Sequence, residues 1–222
     1  MKRVVLSLVM VALVVTALAS VTVAAPTEQV EAFLEELGPC VTEASIVDVE
    51  QAPCLPAGCY CMYYQDDPAW SPDEYHGFGW YPCRQECNAL YPLVREPMRG
   101  CCFNILVSGA PHEVLPPGPG IAFQIPDTHA PAGFYLNNPY GNPEIQGLYY
   151  TDPSRNPDGL QHAYIFRVEF RPGECRCSCN GLEAKPIGNT MYVIVWEDGC
   201  NLYDGDFNDF IVALIPIECP CQ

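Results

Sequence analysis

Fourteen cysteines, the first of them at position 40, constrain this chain more than any other feature. In an exported protein an even number of cysteines reads as a disulfide framework, here of up to seven bridges, with connectivity that spacing leaves open. Cys59-x-Cys61 and the vicinal pair Cys101-Cys102 place neighbouring thiols that reach separate partners more easily than each other. Zinc is the alternative at Cys83-x3-Cys87, and a soft metal at Cys175-x-Cys177-x-Cys179. Export favours disulfides at both, and no C-x-x-C-H motif supports covalent haem.

The first residues carry the export signal. Lys2 and Arg3 form a basic n-region before an apolar run from Val4 to Val23, so residues 1–24 read as a secretory signal peptide. Cleavage after Ala24 and after Ala19 are both open, and an uncleaved anchor is the rival reading because the run is long enough to span a bilayer. No later stretch approaches a second span, so no membrane association is expected after cleavage. Losing the two basic residues takes the formal charge from −17 to −19. A chain this acidic repels nucleic acid and anionic membranes and attracts divalent cations.

The remaining chain divides by texture. Residues 25–102 read as a short helix followed by a cysteine-rich, irregular segment, and residues 103–222 as a β-sandwich or jelly-roll-like domain. In the helix, Thr27–Gly38, Thr27 is a candidate cap, and Val30, Phe33, Leu34 and Leu37 form one apolar stripe. Gly38-Pro39 ends it. The segment from residue 40 to 102 is punctuated by prolines and is expected to hold short strands and long loops. Its aromatics, Tyr60, Tyr63, Tyr64, Trp70, Tyr75, Phe78, Trp80 and Tyr81, are read as substitutes for a regular core. Stacking on sugar rings is the alternative.

Strand signals follow at Phe103–Val107, Ile121–Ile125 and Gly133–Leu136. Gln146–Thr151 and Leu160–Arg171 read as a hairpin around the turn Pro157-Asp158-Gly159. In its second arm His162, Tyr164, Phe166, Val168 and Phe170 share the face assigned to the core. Thr190–Glu197 and Phe210–Ile217 are the last strands, with Pro216 marking an end or an edge.

Between those last strands lies the chemistry. Glu197, Asp198, Asp204, Asp206, Asn208 and Asp209 fall within thirteen residues, directly before the apolar run Phe210–Leu214. Acids beside a buried strand repel one another unless a cation or hydrogen-bond donors compensate them. Alternate side chains of Asp204-Gly205-Asp206-Phe207-Asn208-Asp209 can converge on one point, and hard oxygens in that number suit calcium. An EF-hand is excluded, because the sixth loop position is Asp209 and the twelfth Ile215. A solvated acidic turn held by Asx-type hydrogen bonds is the rival reading.

Gly133-Phe134-Tyr135-Leu136, Asp158-Gly159 with His162, Glu197-Asp198 and Asp204 to Asp209 together resemble the motifs of a secreted bacterial family, the domain-of-unknown-function family numbered 4114. The resemblance covers about residues 120–216. It implies a β-sandwich associated with calcium, with Asp158 joining Glu197, Asp198, Asp204, Asp206, Asn208 and Asp209 as candidate ligands, and no established enzymatic activity. The first functional expectation is therefore a secreted, non-catalytic module that engages an extracellular surface, a glycan or another protein. The alternatives are a glycan-acting hydrolase with a carboxylate pair and a structural subunit of an extracellular layer or fibre.

Overall fold

The computed structural model describes residues 26–50, 54–66, 76–83, 91–94, 113–137, 147–179, 182–199, 202 and 205–219. The leader at 1–24, the expected strand 103–107 and the cysteines at 87, 101, 102, 200 and 221 lie outside them. The helix α1 spans Thr27–Glu36. Strands follow at Val41–Glu50 (β1), Gly58–Asp66 (β2), Gly77–Pro82 (β3), Tyr91–Val94 (β4), Glu113–Val114 (β5), Gly120–Ile125 (β6) and Ala132–Asn137 (β7). The rest are Leu148–Tyr150 (β8), Ala163–Pro172 (β9), Cys177–Cys179 (β10), Leu182–Ala184 (β11), Thr190–Trp196 (β12) and Phe210–Ile217 (β13). The chain is mainly β, as its strand patterns predict.

Two sheets form. The larger runs β1-β9-β12-β13-β2-β6-β10-β11, with β5 beside β2, and the smaller runs β4-β3-β7-β8. Their facing sides make one core: Met62, Tyr64, Ile165, Ile194, Trp196, Val212 and Leu214 from the larger sheet meet Phe78, Trp80, Phe134, Leu136 and Tyr149 from the smaller. The larger sheet also buries its other face, where Phe166, Val168, Val193, Val195, Ala213 and Ile215 pack with Val30, Phe33 and Leu37 of α1. Burial on both faces explains why β13 reads as an unbroken apolar run and not as an alternation.

The helix is held by that stripe and not by a cap. Pro26 occupies the cap position without a side-chain hydrogen bond, which makes Thr27 the first helical residue. Within the cysteine-rich segment, β1 and β2 are ten and nine residues long, longer than the short strands expected there. Both pair with strands from the second half of the chain, β1 with β9 and β2 with β13. The aromatics Tyr60, Tyr63, Tyr64, Phe78, Trp80 and Tyr81 are all buried, which is the core role. Positions 70 and 75 lie outside the described residues.

The expected hairpin of 146–151 with 160–171 does not form. β8 pairs with β7 in the smaller sheet, while β9 lies between β1 and β12 in the larger. The connection is a tied corner. Asp152 accepts the Ser154 N–H at 3.0 Å, opening a single turn of 3₁₀ helix at Pro153–Arg155. Asn156 then bonds the backbone of Tyr150 on both sides and the Leu160 carbonyl. Gly159 closes the expected turn at a left-handed φ of 71°, onto the Asn156 carbonyl.

Four disulfides join described residues: Cys40–Cys175, Cys54–Cys83, Cys59–Cys219 and Cys61–Cys177. Cys59 and Cys61 take different partners, as do Cys175 and Cys177. The bridge at Cys83 removes it as a zinc ligand. Cys61–Cys177 closes a sequence separation of 116 residues inside the core. Replacing both by Ala is expected to lower the unfolding free energy by about 2–5 kcal/mol, read as an earlier urea midpoint. An unchanged midpoint would show that the bridge restrains nothing the sheet does not already hold.

Candidate metal centre

The centre is built by register. Trp196, the last residue of β12, pairs with Phe210, the first of β13, and Phe210 pairs in turn with Asp66, the last of β2. Three neighbouring strands therefore end at one rim. Residues just beyond β12 and just before β13 must face each other there: the Asp198 N–H donates to Asp209 Oδ2 at 2.8 Å. Glu197 Oε1 accepts from the Gly199 N–H at 3.1 Å. Ligand atoms of Glu197, Asp198 and Asp209 lie within 4.8 Å of one another, an arrangement that could hold a metal ion.

Histidines flank the group on both sides. His76, directly before β3 of the smaller sheet, faces Asp66 Oδ1 at 2.6 Å and Asp198 Oδ2 at 2.5 Å. Burial by itself would push this imidazole down. The hydrogen bonds and charges of Asp198 and Asp66 outweigh burial and bring it up to about 9. On the β9 side, His162 is fully buried and stacks on Tyr149 with ring centroids 4.0 Å apart. Its ring nitrogens meet the Glu197 carbonyl and Asp158 Oδ2, each at 2.8 Å.

Electrostatics sets what the rim can accept. Asp209 is raised to about 8, first by burial and then by the charge of Asp198; the hydrogen bond from the Asp198 N–H opposes this, Glu197 adds a lesser push upward, and His76 a lesser pull downward. Among the described residues, the carboxylates of Asp66, Glu197, Asp198 and Asp209 gather at this rim, and His76 bonds two of them, Asp66 and Asp198. Acid in excess at a half-buried rim calls for a proton or a metal cation.

The seven residues expected as ligands separate. Glu197, Asp198 and Asp209 come together. Asp206 turns to Asn208, accepting its N–H at 3.2 Å and its side-chain amide at 2.8 Å, which is the Asx-type turn. Asp158 spends its two oxygens on His162 and the Leu160 N–H. Position 204 lies outside the described residues. Sequence reasoning missed Asp66 and His76. Each stands at the end of an apolar strand run, but only the long-range register brings them to the acidic loop.

Comparison with family models, with curated proteins and with solved structures finds no match to this chain.

Proposed function

We propose that this protein is a secreted, disulfide-braced interaction module in which calcium fastens one rim of the sandwich. The observation that carries the reading is the convergence of Glu197, Asp198 and Asp209 within 4.8 Å. Three carboxylates supply part of the six to eight oxygens that calcium takes, with carbonyls and water completing the shell. The four disulfides support the secreted part of the reading, since such bridges persist in an oxidising compartment. No helix among the described residues is long and apolar enough to cross a membrane. The module engages an extracellular surface, a glycan or a protein and performs no chemistry of its own.

Calorimetric titration of chelator-stripped protein tests the cation. The expected result is saturable binding of calcium, with magnesium weaker because it demands stricter octahedral geometry and gives up water reluctantly. Absence of calcium heat, or zinc binding ahead of calcium, would rule the calcium reading out.

A further inference from the structure

Next to the metal rim, and sharing Asp66 with it, a cavity of about 650 Å³ opens between α1 and the larger sheet. Its volume falls in the range of ligand sites, roughly 300–1,000 Å³. The buried side chains of Phe33 and Ile211 contribute an apolar floor. Around the mouth stand Glu28 and Glu36 from α1 and Glu113 from β5, all exposed, and no lysine or arginine lines the cavity among the described residues. Among those residues, none of the three glutamates forms an ion pair.

We propose that this cavity receives a lysine- or arginine-bearing peptide segment of a partner protein. The fit is one of charge and of shape. A long basic side chain lays its methylene stem on apolar surface while its head stays with carboxylates and water. An apolar floor beneath a ring of acids matches both ends. The inference rests on the reading of the chain as an interaction module and names its partner class, and it makes no use of the cation.

The test is fluorescence anisotropy with a short capped peptide alternating leucine and lysine, at about 0.15 M salt to screen diffuse attraction. The expected result is saturable binding. Glu28→Gln with Glu113→Gln should weaken it about tenfold, while Glu174→Gln with Glu183→Gln, which removes equal charge from exposed positions outside the cavity lining, should not. Ala32→Trp, at an exposed position of α1, fills the cavity without changing charge and should also weaken binding about tenfold. Equal loss in the two charge pairs would mean diffuse attraction to an acidic protein and overturn the proposal. So would an Ala32→Trp variant that binds normally, or an intact protein that does not bind. A peptide that fails to bind while calcium still raises the melting temperature would sink this inference and leave the calcium reading standing.

Discussion

Chelating calcium is expected to lower the melting temperature of the protein by roughly 5–11 °C, and Asp209→Asn is expected to erase that difference. The size follows from mass action. A ligand at about a hundred times its dissociation constant stabilises the folded state by roughly 2.7 kcal/mol, and each kcal/mol is worth about 2–4 °C for a chain of this length. Asp209 is the discriminating position because Asp198 and Glu197 surround it and burial already opposes its charge. Asparagine keeps the shape and can still accept the Asp198 N–H, but it removes one charge from the cluster. Without calcium the variant should therefore melt at or above the chelated wild type near neutral pH, since asparagine is neutral there without the proton that Asp209 must take up on folding. Asp206→Ala separates the rim from the loop. Asp206 is engaged with Asn208, so its loss should cost about 1 kcal/mol for a broken local turn and leave most of the chelator response intact. Equal melts with and without chelator in the wild type would remove the cation from this rim. A response lost in Asp206→Ala but kept in Asp209→Asn would move it into the loop.

The sandwich was legible where local pattern and burial agree. Tyr164, Phe166 and Val168 alternate onto the helix-side core as their period-two spacing predicts. The opposite positions Ala163 and Ile165 pack into the second core, which makes the first half of β9 a strand with two buried faces. Pairing was less legible, because it is a property of distant residues. The turn at Pro157-Asp158-Gly159 is real, yet the strands around it belong to different sheets, since Asn156 ties the corner to β8. The acidic loop was visible as a density of oxygens, but not which of them converge. That depends on Trp196, Phe210 and Asp66 lying in one row across three strands. His76 is the sharpest case. Nothing in the stretch around it indicates a carboxylate at each ring nitrogen, one of them 122 residues away.

Phe207→Ala is expected to destabilise the protein by about 3–5 kcal/mol, the usual loss for deleting a buried aromatic ring. The same change should also weaken calcium binding. Phe207 is the only apolar side chain between Gly205 and Asp209, and it is fully buried, with its ring edge-on to Tyr164 at 5.0 Å. It anchors the approach to Asp209 on the helix-side core. The anchoring carries a backbone cost, because Phe207 sits at φ 58°, a left-handed conformation that a side chain with a Cβ adopts at a penalty of roughly 1–2 kcal/mol. This reverses an ordinary ranking. At most positions glycine is less stable than alanine by about 0.5–1 kcal/mol, through the greater freedom of the unfolded chain. Here Phe207→Gly releases the strain that Phe207→Ala retains, so the glycine variant should be at least as stable as the alanine one. Phe207→Leu, which keeps most of the buried volume, should preserve most of the calcium response. Urea midpoints with and without calcium for the three variants measure both effects. If alanine proves clearly more stable than glycine, the left-handed turn is not imposed by the fold and Phe207 is not what holds Asp209 at the rim.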